Sequence, residues 1–402
     1  VDFVATGTLA SGQAVALKSD GTVEPIASAV DTIGVGTAQT FALAQTFYMT
    51  STFDSANNKV VIAYTDGSNS SFGTAVVATV SGTNISFGTP VVYQSNSTAN
   101  LAITFDPTTK QVVIAYESQV QGRAIVGAVS GTSITFGVSV VFNNIGTSAI
   151  AMTYDTSVQK IVIAYSDAGA SYYGRCKAGN VSGTTISFPY NPSNFQNGST
   201  SYIGLTFDST LDKLVVVFSA TSNNHGTART GTLAGGSTVS WNPVVTFATV
   251  PIRDCKAIFD ATGSPGANNK TIVTLIETNT GYGATVVGVV SGTTIGFGGR
   301  QVFNSGPTSY ASTGFDTIAN RAVITYSNTA NVDAGRVLLG TVTSNALTYG
   351  STVVFSTYET VHIGNPTFDS TNNKVVVAFK GPLAGADKGQ GVVLAVNTSN
   401  NT

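Results

Sequence analysis

The chain has 402 residues, 18 basic and 20 acidic with two histidines, giving a formal charge of −2; charged residues make up 9% of it, against roughly 25% in an average soluble domain. There is no basic tract and no run near the eighteen or so apolar residues that a membrane helix needs, which excludes a nucleic-acid partner and membrane insertion. No recognisable signal peptide begins at Val1, and Val in place of Met suggests a processed or trimmed chain.

In chain order, residues 1–43 come first, with β-like runs at 14–18 and 22–26 around the turn Ser19-Asp20-Gly21. From 44 to 397 an aromatic residue followed by Asp recurs seven times, the Asp being Asp54, Asp106, Asp155, Asp208, Asp260, Asp316 and Asp369, in steps of 52, 49, 53, 52, 56 and 53. An all-β repeat of that length predicts the blades of a propeller. Each repeat divides into four short strands. Strand A runs into the Asp, and strand B is a nearly continuous apolar run, at 60–64, 112–116, 161–165, 214–218, 271–275, 322–326 and 375–379. Unbroken apolar runs indicate strands covered on both faces, as in a sheet held between two neighbours. Polar Asp/Asn turns join A to B, where the Asp carboxylate caps local amides and Asn accepts positive φ. Ser-Gly turns join C to D, and strand D carries Phe87, Phe136, Phe188, Trp241, Phe297 or Tyr349, rings expected to pack between blades.

The last repeat stops after its strand C, near Val396. The expected fold is therefore an all-β, seven-bladed propeller of four-stranded antiparallel blades. Residues 1–43 supply a clasp to the last blade, with 22–26 a candidate closing strand, and 398–402 form a short tail. The chain then enters and leaves on the face of short uniform turns. The opposite face carries irregular loops, where binding residues collect on a rigid frame. Tyr172 and Tyr173, with Tyr190 and Phe195 on what reads as a long D–A connection, are the candidate partner-binding group there; local packing is the alternative.

Little chemistry is legible. His225 and His362 lie in different repeats without ligand-spaced partners, so no catalytic residue, metal or cofactor is expected. Arg253, Asp254 and Lys256 concentrate charge on a strand A facing the central channel, and are expected to be solvated or mutually paired. The seven Asp residues could be imagined as calcium ligands or as sialidase-type Asp boxes. Those boxes need Gly and Trp or Phe at set distances that are missing here, so turn capping is the better explanation. Cys176 and Cys255 fall in non-adjacent repeats and are expected to be unlinked.

The string Phe-Asp-Ser-x-x-Asn-Lys-Val-Val-Ile-Ala-Tyr, followed by Val-Ser-Gly-Thr-x-Ile-x-Phe-Gly, resembles the propeller repeats of virion structural proteins in tailed bacteriophages of marine cyanobacteria. Residues 8–15 and 19–23 resemble segments of tail-fibre and other appendage proteins. The likeness covers most of the chain and transfers no functional residue. It implies a non-enzymatic structural or attachment protein on the virion exterior, whose partners are other virion proteins or host-surface molecules. The alternative is a secreted, extracellular bacterial lectin or adhesin propeller.

Overall fold

The computed structural model describes residues 4–5, 15–25, 31–221, 223–235, 237–260, 262, 270–330, 333–383 and 386–398. The pairing repeats the pattern of the first unit. Its inner strand Thr46–Asp54 pairs with Lys59–Asp66, which pairs with Phe72–Ser81. The outer strand has two parts: Asn84–Phe87, and the start of Val91–Asp106. The rest of Val91–Asp106 becomes the inner strand of the second unit. Ser193–Asp208 and Val245–Asp260 bridge later units in the same way. Among the described residues this pattern recurs through seven units, all antiparallel.

The second strands are the best-buried part of the molecule. Val60, Ile62, Val112, Ile114, Ile161, Leu214, Val323 and Val376 have no exposed surface. Each core is shared between neighbouring units. Val61 and Ala63 pack with Val112 and Ile114, and the series ends with Val60 and Ile62 of the first unit against Val376, Ala378 and Val393 of the last. That final core closes the ring.

Aromatic rings fill the same junctions. Phe41 lies 5.1 Å from Tyr64 and 5.4 Å from Phe87, Tyr93 lies 5.2 Å from Tyr116 and 5.6 Å from Phe136, and Phe142 repeats the contact with Tyr165 and Phe188. The strand-D rings therefore pack between units, as the sequence predicts.

The closing strand differs from the expected one. Thr22–Pro25 pairs antiparallel with Val15–Leu17 and parallel with Val4–Ala5, forming a separate three-stranded sheet. The last unit is completed by Thr32–Val35 and Gln39–Ala42, which pair with Ala386–Asn397. The junction between the last and first units needs an aromatic from the outer strand to sit beside Tyr64. Residues 39–42 supply Phe41, which the 22–26 run lacks. Asn365 fastens the same junction: its side chain accepts from the Thr50 hydroxyl at 2.9 Å and the Ser51 amide at 3.0 Å, and donates to the Ser51 carbonyl at 2.8 Å. Because Thr32 pairs with Asn397, the chain joins and leaves the ring at the turn connecting third and fourth strands, the face of short turns. The tail at 399–402 lies outside the described residues.

Candidate functional site

Six of the seven inner strands are irregular, toward the end opposite the Asp turn. Register shifts fall between Phe47 and Thr50, Ala99 and Ala102, Ser148 and Ala151, Ser201 and Gly204, Arg253 and Lys256, and Ser309 and Ser312. A bulge of this kind turns one side chain away from the pleat. Each holds one residue in the left-handed region: Tyr48, Asn100, Ala149, Tyr202, Asp254 and Tyr310, with φ between 48° and 52°. In the last unit the inner strand is only Thr367–Asp369, and His362, beside the isolated bridge Val361↔Lys380, takes the equivalent place with φ 53°.

These seven residues line one open cavity of about 540 Å³ at the mouth of the central channel. Its floor is apolar, built by the residues that follow them, including Met49, Leu101, Ile150 and Ile203. Further in, Ile103, Met152, Leu205 and Lys256 line the channel. Glycine would adopt this backbone without strain, and Asn and Asp tolerate it, whereas Tyr, Ala or His there costs about 1 kcal/mol or more. In a chain with 43 glycines, none occupies these seven places.

Tyr48 is 46% and Tyr202 44% exposed. The Tyr310 ring lies 5.0 Å from that of His362, with Tyr48 at 6.5 Å and Phe47 at 5.5 Å from the same imidazole. Burial, and then the Lys380 ammonium, hold the His362 pKa below its ordinary value against the opposing pull of Asp387. Lys380 is itself bonded to Asp387 at 2.9 Å. Asn100 donates to Glu117 at 2.6 Å. Of the charged trio expected in the channel, Arg253 pairs with Asp254 at 3.5 Å and donates to the Thr308 carbonyl at 2.9 Å. Asp254 and Lys256 line the cavity, and Lys256 is exposed.

The four expected partner-binding residues differ in their exposure. Tyr172 is 52% exposed on the loop between second and third strands, where its carbonyl accepts from the Ser166 hydroxyl and the Thr200 amide. Tyr173 begins strand Tyr173–Ser182 and is half-buried. Tyr190, also half-buried, falls between the two parts of the outer strand, Thr185–Ser187 and Ser193–Asp208, rather than on a D–A loop. Phe195 is a correction. It is fully buried, 5.2 Å from Phe218 and 5.7 Å from Trp241, and belongs to the inter-unit core. Gly174 opposite it leaves room for the ring, since a Cβ there would collide with Phe195.

The seven turn aspartates are all buried. Asp54 accepts from the Ala56 and Asn57 amides, Asp106 from Thr108 and Thr109, and Asp155 from Ser157 and Val158. Asp208, Asp316 and Asp369 repeat this double acceptance, and Asp260 accepts from Thr262. They cap turns on the face away from the mouth. Among the described residues no group of three or more His, Cys, Asp or Glu is placed to hold a metal. Cys176 and Cys255 are free and buried; burial pushes both thiols up, that of Cys255 to about 12.

No family model and no curated protein matches the sequence. Among solved structures, the WD40 domain of Toxoplasma gondii coronin aligns at TM-score 0.54 and 9% identity, over 92% of this chain and 90% of that one. The chain is a β-propeller. A triple mutant of AofleA from Arthrobotrys oligospora aligns at TM-score 0.49 and 9% identity, over 84% and 94% of the two chains, and the Dos1 propeller at 0.47 and 12%, over 96% and 81%. At these identities the likeness is one of fold. None of the described helices is long and apolar enough to cross a membrane.

Proposed function

We propose that this propeller is a non-enzymatic recognition scaffold that engages its partner at the channel mouth, and that it is carried on the exterior of a phage particle as an appendage or fibre-type attachment protein. The observation that carries the first half is the ring of seven equivalent mouth positions: one backbone shape, with Tyr, Asn, Ala, Tyr, Asp, Tyr and His presented in turn around an open cavity. A uniform frame bearing varied side chains at its rim is how a rigid scaffold presents a binding surface. The second half rests on the repeat and N-terminal strings that resemble virion propeller and appendage proteins. In this reading the uniform face, where Thr32 and Asn397 meet, is the tether to other virion proteins. The mouth and the neighbouring Tyr172 loop then point toward a host-surface molecule.

A secreted lectin or adhesin is the second reading, favoured by the exposed rings of Tyr48 and Tyr202. Gold-labelled antibody against the purified chain separates the two on intact virions of a phage encoding it. Label on the particle exterior supports the virion assignment. Virions that carry neither label nor peptides of this chain refute it.

A further inference from the structure

We infer that the channel mouth binds a saccharide, with one sugar ring seated among Tyr48, Tyr202, Tyr310, Asp254 and Lys256. The inference rests on the recognition reading above and specifies its ligand class.

The chemistry of the lining narrows the class. A volume of about 540 Å³ lies within the roughly 300–1,000 Å³ of small-ligand sites. The lining holds one ammonium, Lys256, and one carboxylate, Asp254, with no further Lys, Arg, Asp or Glu among the described residues. Phosphate-rich ligands need several cations, so nucleotides and polyphosphates fit poorly. A strongly cationic ligand lacks acids to meet it. The mouth suits a neutral or singly charged molecule that has both C–H faces and many hydroxyls.

A sugar ring has both. Its C–H face can lie on an exposed aromatic ring, and a tyrosine's amphipathic body supplies area at little entropy cost. Its hydroxyls need donors and acceptors, which the hydroxyls of Tyr48, Tyr202 and Tyr310, the Asn100 amide, the Asp254 carboxylate and the Lys256 ammonium provide from five different units. The floor of Met49, Leu101, Ile150 and Ile203 is apolar, so a ring that enters exchanges water for contact on one side and keeps polar partners on the other. Burial, and then Lys380, lower the His362 pKa and so favour the neutral imidazole, which can accept as well as donate.

The test is saturation-transfer NMR on the full chain with D-glucose, D-galactose, D-mannose, N-acetylglucosamine and D-glucuronate, each alone. At least one sugar should receive transfer from the protein. Tyr202→Ala or Tyr48→Ala should weaken that sugar by about tenfold, as expected for loss of a stacking ring, while Ile318→Ala, exposed on the Asp316 turn of the opposite face, should leave it unchanged. Both tyrosines are nearly half exposed, so folding should survive, which thermal melting checks. Lys256→Met should weaken glucuronate more than the neutral sugars. Absence of transfer from all five, or transfer unchanged in both tyrosine variants, overturns the inference. A mouth-dependent partner that is not a sugar would leave the recognition reading standing and remove only this assignment.

Discussion

Replacing Phe41 with Ala should loosen the ring at the junction of its first and last units. Phe41 is 7% exposed and sits between Tyr64 and Phe87, on the strand that completes the last unit. Truncating a buried Phe to Ala leaves a cavity and costs about 3–5 kcal/mol. Unfolding entropy is about 2.1 cal/mol/K per residue, so for 402 residues it is about 0.8 kcal/mol/K, and the melting temperature should fall by about 4–6 °C if the ring unfolds cooperatively. The control is deletion of residues 1–30, which removes the separate small sheet and leaves Thr32–Ala42 in place, and should leave the main transition unmoved. Scanning calorimetry on both variants checks this. A Phe41→Ala protein that melts with the wild type, or a 1–30 deletion that melts several degrees lower, would show that ring closure depends on the earlier strand instead.

The turn at Asp208 lacks a partner found elsewhere. At Asp54 and Asp369 the second carboxylate oxygen accepts from Asn57 and Asn372 at 2.9 and 2.8 Å, whereas Leu211 takes that place beside Asp208, whose second oxygen is buried without a hydrogen bond. Leu211 is 41% exposed, so Leu211→Asn should stabilise by about 1 kcal/mol in guanidinium unfolding; no gain would mean that the Asn side chain does not reach the carboxylate. Burial raises the Asp208 pKa, so its folded form holds a proton more tightly and it costs stability as pH rises above the ordinary carboxylate value. For His362, whose folded pKa is lowered from 6.5, the unfolded chain takes up the proton first. Stability is therefore full above 6.5 and lost as pH falls toward the folded value, and His362→Gln should flatten that part of a denaturation series; an identical slope in the variant contradicts the assignment. Neither Cys176 nor Cys255 should react with a thiol reagent before unfolding, and a non-reducing peptide map should recover both unlinked.

The repeat made most of the frame legible. Asp turns at near-constant spacing, apolar second strands and Ser-Gly turns all occupy the places their local chemistry predicts. Asn58, Asn320 and Asn373 take up the left-handed conformation that ends a turn, at φ 52–54°. Two things were hidden. The closing strand is a poor repeat, and only Phe41 marks it: it precedes Asp54 by thirteen residues, as Tyr93 precedes Asp106 and Phe195 precedes Asp208. The same spacing places Phe195 in the core, although its neighbourhood of Pro, Asn and Ser reads locally as a loop.

The mouth was hidden because bulge geometry is a pairing property, and no single residue type signals it. Tyr48, Asn100, Ala149, Tyr202, Asp254 and Tyr310 nevertheless each stand six places before their Asp, with His362 seven before Asp369. A position that varies freely inside a uniform repeat is the available trace. Beside the loop residue Tyr172, the exposed aromatics Tyr48 and Tyr202 lie on the inner strands.

The most direct test of recognition at the mouth is binding of the fluorescently labelled chain to a panel of marine cyanobacterial strains by flow cytometry, comparing the wild type with a Tyr48→Ala, Tyr202→Ala, Tyr310→Ala variant of unchanged melting temperature. The account predicts staining of at least one strain by the wild type and loss of that staining in the triple variant. Equal staining by both proteins would contradict it.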